Sequence, residues 1–86
     1  MSYRVEIEPA ARRTLARLPH QIAARIVRRL EDLAEEPRPM GAVKLSGHNA
    51  YRVRVGDYRI IYAVLDYRLL VLVVEIGHRR DVYRGW

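Results

Sequence analysis

The sequence predicts an α+β fold in which two N-terminal helices pack on one face of a mainly antiparallel β-sheet. An alternating segment at residues 3–8 is followed by two segments with apolar residues at helical spacing. Three segments rich in β-branched and aromatic residues come next, so the predicted order is β-α-α-β-β-β. The 86 residues suffice for one small domain, which we expect to span residues 1–86.

The first strand and the first helix are predicted from the N-terminal residues. Tyr3, Val5 and Ile7 alternate with charged residues, which is the period of a half-buried strand. Pro9 suits the first turn of a helix, because an N–H at that position has no helical partner. Pro19 ends this helical pattern and can begin the next helix.

The second helix is predicted from an apolar stripe that ends before Pro37 and is typical of a core-facing surface. The stripe consists of Ile22, Ile26, Leu30 and Leu33. From position 9 to position 30 the two helical segments carry arginines and no acidic residue. These arginines form either a solvated outer face or a second contact surface for a large polyanion. They are Arg12, Arg13, Arg17, Arg25, Arg28 and Arg29.

A hairpin and a central strand are predicted from the second half of the chain, after a short extended piece at residues 43–45. Gly56 and Asp57 separate two alternating runs and predict a two-residue turn between strands at 51–55 and 58–65. A turn at 66–67 or 66–68 then leads into residues 69–76. That segment is apolar on both faces except at Glu75, which is typical of a covered central strand.

The hairpin register places three arginines on one face of the sheet. With Gly56 and Asp57 in the turn, Arg54 is opposite Arg59 and Arg52 is opposite Ile61, and opposed residues share a face. Opposed like charges cost up to about 1 kcal/mol, so we expect an anionic partner for this cluster. The helices should cover the apolar hairpin face and leave the arginine face open.

Charge and composition narrow the class of partner. The net charge is +6, and Lys44 is the only lysine among 16 basic residues. Guanidinium groups bind phosphate bidentately and stack on bases, although the same charge suits an acidic protein partner. The absence of cysteine excludes thiolate metal sites and indicates a reducing cytoplasm. Three scattered histidines lack metal-ligand spacing, so neither a metal nor another cofactor is expected, nor is a membrane segment.

Residues near the C-terminal end complete a resemblance to a known family. His78, Arg79, Arg80 and Tyr83 are expected just past the central strand, within reach of the arginine face. With residues 44–47, 51–55, 56–62 and 77–83 in this order and spacing, the sequence resembles the RelE/ParE superfamily of bacterial and archaeal toxins, on the RelE side. The resemblance covers nearly the whole chain, and no single motif decides it.

This resemblance implies a RelE-like fold and a type II toxin that cuts mRNA in the ribosomal A site. In this chemistry a ribose 2′-hydroxyl attacks the adjacent phosphate without metal, leaving a 2′,3′-cyclic phosphate and a free 5′-hydroxyl. By position, the family's catalytic residues correspond to Arg52, Arg54, Arg59, Arg79 and Tyr83. The resemblance also implies an antitoxin partner encoded by an adjacent gene.

The proton carriers follow less directly from the sequence. Arginine is effectively never deprotonated in proteins, so Arg54 is a poor general base at a position where family members usually have lysine. Tyr83 and His78 are the candidate proton carriers, although Tyr83 could instead cover the core edge and His78 could simply form hydrogen bonds at a strand end. The expected ribosome and RNA contacts are Arg12, Arg13, Arg17, Lys44 and Arg80.

Two other functions remain open at this point. A ParE-like toxin of the same fold would poison DNA gyrase, and a non-catalytic module would bind nucleic acid or the ribosome without cleavage. Glu75 is expected to pair with an arginine, since a lone buried carboxylate is costly, with a general-base role as the alternative. Trp86 either anchors the tail or contacts a partner.

Overall fold

The computed structural model describes residues 2–45, 47 and 49–78. In this part of the chain the elements are β1 (Arg4–Ile7), α1 (Pro9–Arg17), α2 (His20–Glu35), β2 (Val43–Lys44), β3 (Ala50–Val55), β4 (Tyr58–Leu65) and β5 (Leu70–His78). A 3-10 turn, Asp66–Arg68, joins β4 to β5. The predicted order is confirmed except that four strands, not three, follow the helices, because the extended piece before the hairpin forms the two-residue strand β2.

Within the described residues, five strands form one mixed sheet in the order β1-β5-β4-β3-β2. β1 runs parallel to β5, and the other neighbouring pairs are antiparallel. β5 therefore has a strand on each side, as its continuous apolar character predicted. No helix in the described ranges is long and apolar enough to cross a membrane.

Prolines set the helix boundaries where the sequence predicted them. Pro9 occupies the first turn of α1, and Pro19 precedes the first residue of α2. α2 ends at Glu35, before Pro37, because proline cannot continue the hydrogen-bonded helix. Both helices pack on the same face of the sheet, with α1 against β5 and α2 between β1 and β3.

The main core lies between the helices and the sheet. Ile26 and Leu33 of α2 are fully buried there. Tyr62 is buried beside them, and its hydroxyl donates a 2.7 Å hydrogen bond to the carbonyl oxygen of Pro37. Burial raises the pKa of Tyr62 to about 12. The other buried members are Ala11, Leu30, Val53, Ile60, Val64, Val71, Val73 and Ile76.

A polar cluster joins four segments at the edge of this core. The guanidinium of Arg38 donates to both carboxylate oxygens of Asp66, at 3.2 and 2.8 Å, and its Nε donates to the Tyr51 hydroxyl at 2.9 Å. The Tyr3 hydroxyl donates to Asp66 Oδ1 at 2.6 Å. The hydrogen bonds from Arg38 and Tyr3 hold the pKa of Asp66 below its usual value. The cluster therefore links the loop after α2 to β3, to the 3-10 turn and to the residue directly before β1.

β5 begins and ends later than the sequence predicted. Leu69 adopts a left-handed conformation with φ 49° and completes the turn, so the strand begins at Leu70. It continues through Gly77 and His78, because these residues pair with Arg59 and Tyr58 of β4. The predicted end at residue 76 is therefore wrong by two residues.

Candidate nucleic-acid interface

The arginine face has the register that the sequence predicted. Arg54 is opposite Arg59, and Arg52 is opposite Ile61. Gly56 takes a positive φ of 58°, which a two-residue hairpin turn requires and which glycine adopts without strain. Val53 and Ile60, which alternate with these arginines along β3 and β4, belong to the main core under the helices. The three arginines therefore project from the other face of the sheet.

Exposure differs among the three arginines. Arg54 is exposed and Arg52 is half-buried, whereas Arg59 is only 6% exposed. The prediction of an open arginine face is therefore wrong for Arg59. Arg59 lies on β4 with a paired strand on each side, while Arg54 lies on β3 beyond the residues that pair with β2.

A β-bulge brings a carboxylate to the same face. Glu75 is opposite Ile61 while Val73 is opposite Tyr62, so Val74 is the extra residue. Val73 and Ile76 both point into the main core, whereas Val74 packs with a small cluster of Leu45, Ala50 and Ile61 on the other face. Glu75 consequently shares the arginine face. Its predicted pairing with an arginine stays a prediction.

The imidazole of His78 lies on the helix-covered face. His78 is opposite Tyr58, and their ring centroids are 5.3 Å apart with the planes at 78°. Tyr58 packs against the main core, so His78 projects away from the three arginines. The expected position past the strand end, within reach of the arginine face, is therefore wrong, because β5 continues through this residue in regular alternation.

Four of the five predicted ribosome contacts lie on the helix side of the sheet. Arg12, Arg13 and Arg17 are exposed on α1. Lys44 is opposite Tyr51, which shares the helix-covered face, and it lies on the edge strand β2. The structure does not bring these four residues to the arginine face, and their role in RNA binding stays a prediction.

The family of the chain follows from comparisons with known proteins. Residues 5–83 match the model of the family described as the ParE toxin of type II toxin–antitoxin system, parDE. The chain belongs to the RelE/ParE superfamily of toxins. Toxin RelG of Mycobacterium tuberculosis is 35% identical to it, covering 98% of this chain and 99% of that protein. The mRNA interferase toxin RelE of Escherichia coli is 27% identical, covering 96% of this chain and 92% of that one.

Solved structures confirm the RelE-like fold of this toxin. RelE in the archaeal RelE–RelB complex from Pyrococcus horikoshii is 31% identical, with a TM-score of 0.84 and coverage of 95% of this chain and 100% of that chain. A chain of the RelBE2 toxin–antitoxin complex from Mycobacterium tuberculosis is 29% identical, with a TM-score of 0.79 and coverage of 92% and 100%. The protein is thus a RelE-like toxin of the type II toxin–antitoxin class.

Some predicted site residues of the toxin lie outside the described residues. These are Arg79, Arg80 and Tyr83, and Trp86 lies there as well. Their predicted roles stay predictions, as do those of the three arginines on β3 and β4.

The structure also shows a basic groove of the toxin that sequence reasoning did not identify. It has a volume of about 440 Å³ and lies between α2 and the hairpin turn. The acid-free arginine run contained the signal, but only the packing of α2 against the turn shows which of its arginines converge. The basic groove is lined by Arg25, Arg28, Arg29, Asp32, Arg54, Val55 and Gly56.

Proposed function

We propose that this toxin is a ribosome-dependent endoribonuclease that cleaves mRNA in the A site and thereby inhibits translation. The observation that carries the proposal is the placement of Arg52, Arg54 and Arg59 on one face, with Arg59 buried at 6% exposure. Similarity along nearly the whole chain to a protein named mRNA interferase toxin RelE supports the same activity.

Guanidinium groups on this face suit the charge that develops in RNA cleavage. When a ribose 2′-hydroxyl attacks the adjacent phosphate, the pentacoordinate phosphate gains negative charge. Arginines already in position stabilise that charge with little reorganisation, because charge-assisted hydrogen bonds to phosphate are strong and bidentate. Arg59 is held in place by its burial, and the exposed Arg54 is accessible to a strand that approaches from solvent.

Proton transfer needs a group other than these arginines. The nucleophile belongs to the RNA, so the protein must orient the strand, accept the 2′-hydroxyl proton and protonate the 5′-oxygen that leaves. Tyr83 is the proposed carrier from the C-terminal segment. Glu75 is the alternative base, because it shares a face with the arginines, whereas His78 lies on the opposite face.

The proposed protein partner is a cognate antitoxin encoded by an adjacent gene. Similar chains come from structures described as RelE–RelB and RelBE toxin–antitoxin complexes. An antitoxin with an acidic binding segment would complement a net charge of +6. Action on ribosomes places the toxin in the cytoplasm. Failure to co-purify with the product of the adjacent small gene would contradict this partner.

A ParE-like poison of DNA gyrase is the second candidate function. It is favoured by the matching family model, whose description is the ParE toxin over residues 5–83. Such a toxin stabilises gyrase–DNA cleavage complexes and leaves mRNA intact. A non-catalytic RNA-binding module would instead bind ribosomes and produce no cleavage product.

Mapping mRNA 5′ ends after a short induction distinguishes these functions. The wild-type toxin should generate new 5′-hydroxyl ends within translated codons, and Arg54→Gln should generate far fewer. Arg68→Gln is the matched control, because Arg68 lies in the turn at the other end of β4. Intact mRNA together with trapped gyrase–DNA complexes would support the second candidate and overturn the first.

A further inference from the structure

We propose that the basic groove is a second phosphate-binding site, which holds RNA backbone beside the arginine face. The groove is formed where α2 meets the turn between β3 and β4, and it includes Arg54 from the arginine face. The choice of RNA as the polyanion rests on the proposed function. The site itself rests on the charge and geometry of the groove.

The basic groove carries a strong excess of positive charge. Its described lining contains four arginines and one acidic residue, Asp32; the arginines are Arg25, Arg28, Arg29 and Arg54. Within the described part of the chain, none of the four groove arginines is neutralised by an ion pair. Arginines three and four positions apart on one helix face repel each other, which a bound anion would relieve.

Local packing orients two of these arginines. The Arg25 guanidinium lies against the hairpin turn, with Nη1 3.4 Å from the point where a Cβ on Gly56 would be. Arg29 Nε is buried and has no hydrogen-bond partner among the described residues. The two guanidinium groups are therefore positioned by the fold and not only tethered to the surface of α2.

The lining of the basic groove favours a nucleic-acid backbone over a peptide. Protein partners usually place apolar anchors in pockets, and Val55 is the one apolar side chain among the described lining residues. A sugar-phosphate backbone needs cations and no apolar pocket. Arg54 belongs to both surfaces. An RNA strand bound on the arginine face can therefore continue into the groove and remain in contact with arginines along its path.

Two sources of RNA phosphate share this chemistry. One is the mRNA strand that flanks the cleaved phosphate, and the other is ribosomal RNA around the A site. Binding to a short single-stranded RNA tests the first source, and binding to ribosomes without mRNA tests the second.

The test compares a double variant with a matched control of equal charge change. Arg25→Gln with Arg28→Gln removes two exposed groove cations. Arg4→Gln with Arg68→Gln removes two cations at the far end of the sheet, where the Arg4–Glu6 pair is exposed and contributes little. Thermal unfolding of each variant confirms that it is folded, and affinity is measured for each RNA across a range of salt concentrations.

We expect RNA binding by the groove variant to be weaker and to depend less steeply on salt concentration. Each phosphate contact on a single strand contributes about 0.7 to the slope of log K against log salt, so the slope should fall by about 1.4. At moderate salt the affinity should be weaker by on the order of tenfold. The control double variant should retain the wild-type slope. A groove variant that matches the control on both RNA probes would overturn the proposal.

Two variants that each remove an acidic residue test the site by an increase in RNA affinity. Among the described lining residues Asp32 has the one carboxylate, which Asp32→Asn removes, whereas Glu31→Gln removes a neighbouring carboxylate outside the basic groove. Asp32→Asn should bind RNA more tightly than Glu31→Gln does, and equal affinities would count against the groove.

Two further results separate this inference from the activity on which it rests. If the groove variant binds RNA like the control but loses an acidic antitoxin peptide, the groove is a protein site and the RNA assignment is overturned. Wild-type toxin that neither binds ribosomes nor cleaves mRNA would overturn the proposed function, and this inference with it. Wild-type toxin that does both, beside a groove variant that matches the control, overturns this inference alone.

Discussion

Glu75 lies on the same face of the sheet as Arg59, because β5 contains a bulge at Val74. Strict alternation from Val73, which is in the main core, would turn Glu75 toward the helices. The extra residue restores Ile76 to the core and keeps the carboxylate outside it. Without the bulge the carboxylate would be buried among apolar side chains, which is costly unless it is paired.

We expect Glu75→Gln to destabilise the fold. Arg59 is a buried cation on this face, and the Glu75 carboxylate supplies negative charge to the same face. Loss of a charged hydrogen-bonding group costs about 1.5–3 kcal/mol. Urea unfolding measures this loss, with Glu31→Gln on the exposed side of α2 as the control. Equal stability of both variants would show that Glu75 does not compensate the arginines.

The sequence predicted the parts of this molecule that depend on local physics. Pro9, Pro19 and Pro37 mark the helix boundaries, and Gly56 with its neighbour sets the hairpin register. These features follow from the dihedral angles and hydrogen bonds of a few consecutive residues. The three arginines of the candidate site therefore came together as predicted.

The features that the sequence did not predict depend on contacts between distant segments. The bulge at Val74 arises from the pairing of β5 with β4, and an apolar run shows no preference for one register over another. The sheet face on which the His78 side chain lies depends on how far the pairing of β5 with β4 continues. The basic groove depends on where α2 meets the hairpin turn, which places Arg25 beside Gly56.

Substitution at Arg54 tests whether this position supplies only charge. Arg54→Gln removes a cation from the proposed phosphate site, and we expect cleavage on programmed ribosomes to slow by about a hundredfold or more. Arg54→Lys keeps the charge and adds a group that can lose a proton, with a reference pKa of about 10.4. Single-turnover cleavage by this variant should rise with pH between about 6 and 9 more steeply than cleavage by the wild type. Identical pH profiles would show that residue 54 takes no part in proton transfer in either form.

Tyr62→Phe should weaken the fold and remove one source of alkaline sensitivity. The lost hydroxyl donates a 2.7 Å hydrogen bond to the Pro37 carbonyl, and leaving a buried acceptor without its donor costs about 1–3 kcal/mol. Burial raises the pKa of Tyr62 from 10.0 to about 12, so the folded state holds this proton more tightly than the unfolded chain does. The contribution of Tyr62 to stability is complete below pH 10.0 and is lost as pH rises toward about 12.

Urea unfolding of wild type and Tyr62→Phe across this alkaline range isolates the effect, because the other tyrosines cancel in the difference. The difference in unfolding free energy between the two proteins should become smaller as pH rises. A constant gap would mean that the hydroxyl titrates alike in the folded and unfolded states.

Asp66 and Arg38 should behave as one unit in stability and in acid sensitivity. Hydrogen bonds from Arg38, and then from Tyr3, lower the pKa of Asp66 below 3.8, so the folded state favours the carboxylate. The stabilisation is therefore present above about pH 4 and is lost as pH falls through the lowered pKa. Because Arg38 donates to both carboxylate oxygens, removing either partner removes the same pair of hydrogen bonds. Asp66→Asn, Arg38→Gln and the double variant should consequently show non-additive losses in unfolding free energy. The unfolding free energy of Asp66→Asn should also fall less steeply below pH 4 than that of the wild type. Additive losses, together with an unchanged fall below pH 4, would mean that the two side chains contribute independently.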